Sequence, residues 1–163
     1  MDEKEILKFW KENKIFEKTL EKDSPKGEFV FYDGPPFATG LPHYGSLLSS
    51  VAKDLFCRYK TMQGFHVRRR WGWDCHGLPI ENMIEKKLGL KSKKDIEAMG
   101  VEKFNETCRS AVLETADAWK EYISKIGRWV EFDDAYKTMD NSFMESVWWA
   151  LKQMWDKELI YEG

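Results

Sequence analysis

The chain has 163 residues, of which 42% are hydrophobic and 15% aromatic. A chain of this length builds one domain and buries about two-thirds of its unfolded surface, so a disordered tail is excluded. With 26 basic and 28 acidic residues the net charge is −2, which argues against a generic nucleic-acid binder, because such domains are basic.

The cysteines and the hydropathy pattern indicate a cytoplasmic protein. Cys57, Cys75 and Cys108 form no CxxC pair and are odd in number. Together with the lack of a signal peptide, this predicts reduced thiols rather than a disulfide or zinc framework. No apolar run reaches the ~20 residues that a membrane span needs, so we expect no membrane partner.

The first predicted elements are an amphipathic helix over residues 2–20 and a short strand over 29–32. A loop rich in glycine and proline follows the strand, and then a helix over about 43–62. Apolar residues recur in this helix at the spacing of one buried face, namely at Leu48, Val51, Ala52, Leu55, Phe56 and Tyr59.

Phe65, Val67 and Trp71 predict a second strand after this helix. A strand–helix–strand unit with one crossover helix has parallel strands joined right-handedly. Both strands then end at the same edge of the sheet. The loops over 33–42 and 72–77 should therefore face one crevice, which is where open α/β sheets bind ligands.

The rest of the chain reads as helical. Pro79 fits the first turn of a short helix that ends near Leu88, and Ser92 with Asp95 predicts a capped start for a helix over 93–99. A long helix over about 101–126 and an irregular segment come next. A last helix over about 142–157 is predicted to turn six residues inward: Phe143, Val147, Ala150, Leu151, Met154 and Trp155.

We therefore predict an α/β fold in a single domain, 1–163. It divides into an N-terminal helix and linker (1–27), a parallel βαβ core with both loops (28–89) and a helical extension (90–163).

The predicted helix start near His43 and Tyr44 favours phosphate binding. The first turn of a helix offers unpaired N–H groups, and the helix dipole favours an anion there. The spacing alone is equally consistent with an ordinary strand-to-helix connection whose prolines stiffen a turn.

Two segments resemble a known family. GPPFATGLPHYGS (34–46) is similar to the first signature of the class I aminoacyl-tRNA synthetases, a His-x-Gly-His placed after a Pro/Gly-rich loop. RRRWGWDCHGLPIE (68–81) resembles the isoleucine-specific branch of that family. With the flanking stretches, the resemblance covers essentially the whole chain. It has one departure, since Ser46 stands where the signature has its second His.

The resemblance implies the N-terminal half of a Rossmann-like catalytic domain. The reaction it implies is ATP-dependent activation of isoleucine to the adenylate and transfer to tRNA, with Mg²⁺ arriving with ATP and no metal bound by this segment itself. The second family signature, Lys-Met-Ser-Lys-Ser, is absent from the sequence. We therefore expect a fragment that is weak or inactive without the C-terminal half of the catalytic domain.

For ATP, the resemblance points to His43, Gly45 and Ser46. His43 and Ser46 are the candidate catalytic residues, because each can donate a hydrogen bond to a phosphate oxygen that gains charge. Gly45 allows the backbone close to adenine or ribose. Serine is shorter than imidazole and cannot become cationic, so we expect binding to survive and turnover to suffer. The simplest alternative for His43 is a surface or capping role.

For the amino acid, Asp74 is the candidate partner of the substrate ammonium group, and a cap or turn residue is its alternative. His76 either orients the loop or touches the substrate. Gly34, Pro35 and Pro36 would wall a small apolar pocket.

Two other functions stay open on the sequence. One is a catalytically silent module that binds ATP or an aminoacyl-adenylate, for which Ser46 is the hint. The other is an interaction domain that uses the Trp-rich last helix. The basic clusters at 68–70 and 86–94 are more simply solvated faces than an RNA site.

Overall fold

The computed structural model describes residues 2–163. Within this range the chain forms two parallel strands and eight helices, joined by loops. In chain order the elements are α1 (Glu3–Glu12), α2 (Ile15–Glu21), α3 (Tyr44–Met62), β1 (Arg70–Trp73), α4 (Leu78–Leu88), α5 (Lys93–Met99), α6 (Val101–Ala111), α7 (Ala116–Lys125), β2 (Glu131–Lys137) and α8 (Asn141–Asp156).

β1 and β2 pair in parallel, with Arg70 opposite Glu131 and Trp73 opposite Lys137. Helices α4 to α7 form the crossover between the two strands. The predicted α/β class with parallel strands is confirmed, although the sheet pairs β1 with β2 and not with the predicted strand over 29–32. The irregular segment predicted before the last helix is instead β2, a strand with three acidic residues, which are unusual in strands.

The predicted strand over 29–32 is wrong in detail. Single parallel bridges join Glu28 to His66 and Phe37 to Asp74, and no regular strand lies between them. Pro35 and Pro36 in this stretch have no N–H to donate to a ladder. The segment therefore runs beside the 66–74 segment but pairs with it only at its two ends.

Two predicted helices are each broken into two. Lys14, in the left-handed region at φ 49°, separates α1 from α2, and Leu113 at φ 73° separates α6 from α7. The first break lets Trp10 and Phe16 both reach the ring of Trp129. Aromatic packing of this kind outweighs the preference of a local sequence for one straight helix.

The main core is aromatic and lies beside β1. Trp71 and Trp73 are almost fully buried, and the rings of Trp119 and Phe132 lie within 5.0–6.1 Å of theirs. Ala38, from the first loop, is fully buried in the same cluster. The core thus holds one end of the predicted binding loop.

The predicted buried face of α3 is wrong. All six of its residues are exposed, with Leu48 at 75% and Leu55 at 63%. The buried residues of α3 are instead Ser50, Cys57 and Thr61. The polar side of α3 turns inward because its charged residues have partners there, such as Asp33 for Lys53.

The inward face predicted for the last helix is also wrong. α8 has no buried residue among those described. Phe143 stacks on Tyr136 with ring centroids 5.8 Å apart, whereas Val147, Trp148, Trp149 and Trp155 are 54–68% exposed. Two helices therefore present apolar faces to solvent. None of the described helices combines the length and the apolar character that a bilayer crossing requires.

Candidate functional site

The loops that carry the two sequence motifs meet at Asp74. The backbone N–H of Asp74 donates to the carbonyl of Pro36, and the N–H of Ala38 donates to the carbonyl of Asp74, both at 2.9 Å. The convergence that we predicted from the parallel topology is confirmed. The structure thus brings the Gly34–Pro35–Pro36 stretch beside Asp74.

The first loop is also fixed to α7. The indole N–H of Trp119 donates to the carbonyl of Gly40 at 2.7 Å, and the hydroxyl of Thr115 donates to the same oxygen at 3.4 Å. With Ala38 buried in the core, the loop is held on both sides of Thr39. A loop fixed in this way can present a defined surface to a ligand.

His43 is the N-cap of α3. Its Nδ1 accepts a hydrogen bond of 3.1 Å from the N–H of Gly45. In the neutral imidazole, an accepting Nδ1 leaves the proton on Nε2. His43 is exposed, so its Nε2–H can face a ligand. The capping alternative for His43 and a donor role are therefore compatible.

Ser46 completes the same cap from the other side. Its Oγ accepts a hydrogen bond of 3.2 Å from the N–H of His43, as in a capping box. A hydroxyl that accepts through a lone pair still has its own hydrogen to donate. Ser46 therefore keeps the donor that a phosphate oxygen would need.

The remaining predicted residues lie around the junction of the two loops. Gly34 is exposed and its carbonyl accepts from Nζ of Lys53 at 2.7 Å. Pro35, Pro36 and Asp74 are half-buried, and His76 is exposed. Among residues 2–163, the hydrogen bonds of His43, Gly45 and Ser46 stay within the start of α3. The predicted site is thus split into a helix start and a loop junction.

Two clefts flank the second motif. A cleft of about 280 Å³ is lined by Cys75, His76, Ile80, Cys108 and Arg109, among others. A larger one, about 550 Å³, is lined by segment 28–33, Arg68, Arg70 and the rings of Tyr136 and Phe143. The first cleft begins at Cys75 and His76, directly after Asp74, and the second ends at Asp33, directly before Gly34.

The thiol of Cys75 is not suited to act as a nucleophile. Burial raises the pKa of its thiol above the ordinary value, which keeps it protonated. Its backbone N–H donates to Oγ1 of Thr138 at 2.8 Å. We conclude that Cys75 helps to hold the loop shape.

The sequence did not reveal the residues that hold the start of the first loop at Asp33. The side chain of Asp33 is 3% exposed and forms ion pairs with Lys53 of α3 and with Arg128 after α7. The hydroxyl of Tyr136 donates to the Asp33 carbonyl at 2.9 Å. No local pattern marks these partners, because Arg128 and Tyr136 lie about 100 residues further along the chain.

Within the described part of the chain, no three His, Cys, Asp or Glu side chains come together in a way that could hold a metal ion. The expectation that this segment binds no metal of its own stays a prediction.

Comparisons with known proteins identify the same family that the two sequence motifs resemble. The family model for tRNA synthetases class I (I, L, M and V) matches residues 5–163. Isoleucine–tRNA ligase of Treponema denticola is 55% identical over 161 residues, which are 99% of this chain and 15% of the relative. The enzyme from Wolbachia sp. subsp. Brugia malayi is 58% identical over 161 residues, 99% of this chain and 14% of the relative.

The chain therefore spans only about one-seventh of the length of the curated relatives it matches. Among solved structures, LeuRS of Agrobacterium radiobacter K84, in a ternary complex with tRNA and LeuAMS, has a TM-score of 0.59 at 21% identity. The match covers 98% of this chain and 18% of that one. At this identity the likeness shows a shared fold.

Proposed function

Since the chain belongs to the class I tRNA synthetases of the isoleucine, leucine, methionine and valine group, we propose that it is the part of an isoleucine–tRNA ligase that receives ATP and isoleucine. The observation that carries the proposal is the junction of the two motif loops at Pro36 and Asp74. The 55% identity to an isoleucine–tRNA ligase, over an alignment that covers 99% of this chain, supports isoleucine as the amino acid.

The proposed reaction has two steps. A carboxylate oxygen of isoleucine attacks the α-phosphorus of ATP, the bond to pyrophosphate breaks, and isoleucyl-adenylate forms. A ribose hydroxyl of tRNA then attacks the carbonyl carbon and releases AMP. Mg²⁺ enters as part of the ATP complex and neutralises charge on the phosphates.

Asp74 would hold the isoleucine ammonium group. Its backbone makes the contacts to the first loop, which leaves the carboxylate to face a ligand at the junction. A charge-assisted hydrogen bond of this kind is worth about 1.5–3 kcal/mol. Gly34, Pro35 and Pro36 would lie against the aliphatic side chain, and His76 would stand at the edge.

The start of α3 would bind the phosphates. Nε2–H of His43, Oγ–H of Ser46 and the first N–H groups of the helix all favour a negative ligand. Gly45 leaves the His43 imidazole unobstructed, because a Cβ at position 45 would lie only 2.9 Å from Cε1 of His43. Donors placed where charge develops lower the barrier rather than the ground state.

We expect this chain to be weak or silent as a catalyst alone. It spans about one-seventh of its relatives, and Ser46 gives the helix start one donor that cannot carry charge. A silent module that binds ATP or the adenylate is therefore the second candidate. The hydrogen bond that Ser46 accepts in the cap supports this second candidate, since it gives the serine a structural role that does not require catalysis.

Titration with ATP, isoleucine and a non-hydrolysable isoleucyl-adenylate analogue, together with pyrophosphate exchange, separates the candidates. An active fragment binds all three ligands and exchanges pyrophosphate into ATP. A silent module saturates without exchange, including when the remainder of the catalytic domain is added as a separate chain. Binding of none of them would refute both and leave the interaction domain.

A further inference from the structure

Asp33 occupies a buried position directly before the Gly34–Pro35–Pro36 stretch. Its side chain is 3% exposed, and its carboxylate lies between the cations of Lys53 and Arg128. We call these three residues the Asp33 hub. A buried carboxylate is tolerated only when it is paired, so each partner constrains where Asp33 can sit.

Lys53 connects the hub to the loop itself. Its Nζ pairs with Asp33 and also donates to the carbonyl oxygen of Gly34 at 2.7 Å. One ammonium group thus holds two consecutive residues, one by its side chain and one by its backbone. The side chain of Lys53 is 24% exposed, so solvent screens this contact only partly.

Arg128 fixes the hub from the opposite side. Its side chain is 5% exposed, and its guanidinium lies 5.1 Å from the Trp71 ring centroid. It also donates to Oγ of Ser50 at 3.3 Å. Arg128 follows α7, and α7 carries the indole that binds Gly40. The two ends of the first loop are therefore tied to α7 and to the residue that lies just after it.

Tyr136 adds a fourth attachment, through the backbone of Asp33. Its hydroxyl donates to the Asp33 carbonyl at 2.9 Å. The tyrosine reaches this oxygen by lying across Gly72, where a Cβ would come within 2.1 Å of the ring. The side chain and the carbonyl of Asp33 are thus both held by partners.

We propose that Asp33 is a positioning residue for the amino-acid site, and that Lys53 transmits its position to Gly34 and to the loop junction at Pro36 and Asp74. The inference deepens the proposed function and rests on it for the identity of the ligand. Removing the link should let the junction open locally while the core stays folded.

Lys53→Met tests the link, because replacing Asp33 itself would leave the buried guanidinium of Arg128 without its carboxylate and endanger folding. Lys60→Met is the matched control, since Lys60 lies two turns further along α3 and its Nζ lies over the rings of Phe29 and Phe65, without an ion pair to any residue of the described chain. Lys53→Arg restores the charge and is the rescue variant.

The first measurement is hydrogen exchange without ligand. The amide of Ala38 is protected by its bond to Asp74 and reports opening of the junction. We expect its exchange to accelerate about tenfold or more in Lys53→Met, to return towards the starting rate in Lys53→Arg and to stay unchanged in Lys60→Met. The amide of Trp119 in α7 should keep its rate in all variants. Equal rates for Ala38 in both methionine variants, or acceleration at Trp119 as well, would overturn the proposal.

The second measurement is affinity for the isoleucyl-adenylate analogue, which should fall about tenfold in Lys53→Met only. If the unsubstituted chain binds the analogue and Lys53→Met binds it as tightly, positioning of the ligand is refuted. If the unsubstituted chain does not bind it, the proposed function fails by itself, and the exchange experiment still decides whether the hub positions the loop.

Discussion

Ser46 and His43 cap the start of α3 reciprocally, the serine oxygen accepting from the His43 N–H at 3.2 Å and the imidazole Nδ1 accepting from Gly45 at 3.1 Å. The residue that departs from the family signature therefore has a structural role of its own. A residue at position 46 that improves catalysis can therefore lower the stability of the helix start.

Ser46→His should lower the free energy of unfolding by about 0.5–2 kcal/mol, because it removes one half of the cap. In the presence of the remainder of the catalytic domain it should raise the rate of pyrophosphate exchange, since a second imidazole donor then faces the phosphate. The gain should appear in kcat rather than KM. Urea unfolding and exchange kinetics measure the two effects.

The control for this prediction is His43→Ala in the Ser46→His background, which should abolish the gain in rate. A Ser46→His chain that exchanges no faster than the original when the missing half is supplied would count against a catalytic role for the α3 start.

Asp74→Asn should weaken binding of the adenylate analogue by about 1.5–3 kcal/mol and leave ATP binding nearly intact. The reason is that only the adenylate carries the ammonium group that the carboxylate would hold. Isothermal titration with both ligands checks this. Asp117→Asn, an exposed carboxylate on α7, should change neither. Equal loss of both ligands would remove Asp74 from the amino-acid site.

Gly72→Ala should destabilise the protein by about 1–3 kcal/mol or more, because the new Cβ meets the Tyr136 ring at 2.1 Å. Gly40→Ala is the control, since a Cβ there meets nothing within 4 Å. In a double-mutant cycle, Tyr136→Ser should relieve most of the cost of Gly72→Ala. Additive costs would show that the two residues do not compete for this space.

The stability of the protein should fall as pH rises above about 8.5, the range in which thiols of an unfolded chain ionise. Burial raises the pKa of the Cys57 thiol, and the nearby Arg69 opposes this only in part. The folded chain thus keeps a proton that the unfolded chain loses, so the stabilisation is complete below that range and declines through it.

Urea unfolding between pH 7.5 and 10 measures this decline, at most about 1.4 kcal/mol per pH unit for one thiol. Cys57→Ala should make the decline shallower. An identical slope in both proteins would show that Cys57 does not titrate differently in the two states.

The chain should associate at high concentration. Its accessible surface is 11,965 Å², whereas a self-contained protein of 19.3 kDa exposes about 8,500 Å². An excess of about 3,500 Å² on one chain is more than the ~1,000–2,500 Å² that one partner contributes to most obligate interfaces. The apolar faces of α3 and α8 contribute to this exposed surface, and large exposed apolar patches favour association.

Light scattering over a concentration series measures this association. Leu55→Glu, at a position on α3 that is 63% exposed, should reduce it without loss of secondary structure. Asn105→Glu on α6 adds the same charge outside both faces and should have little effect. A monomer at all concentrations would contradict the prediction.

The starts of α3, α4 and α5 were predictable from the sequence because their causes are local, whereas the starts of α2 and α7 were not. His43 caps α3, Pro79 lies in the first turn of α4, and Ser92 with Asp95 caps α5, as expected. β2 was not predictable, since its acidic residues are matched by basic residues far away in the chain. Asp134 pairs with both Arg68 and Arg70.

The apolar face of α3 shows the limit of periodicity. Its spacing correctly indicated an amphipathic helix, but spacing does not say which surface will cover the apolar side. The polar side carries Lys53, and its partner Asp33 fixes which way α3 faces. At the site, topology predicted that the loops converge, whereas the Asp33 hub depends on Arg128 and was beyond any local pattern.

The pairing of β1 with β2 also sets the order in which the molecule can form. Their register joins residues about 60 positions apart, and closing a loop of that size costs roughly 3–4 kcal/mol of chain entropy. The crossover helices α4 to α7 make local contacts and can form first. During synthesis, β1 therefore stays without its strand partner until β2 has left the ribosome. Through that interval the strand that ends at Trp73 depends on the packing of Trp71 and Trp73 against Trp119 of α7 rather than on a sheet.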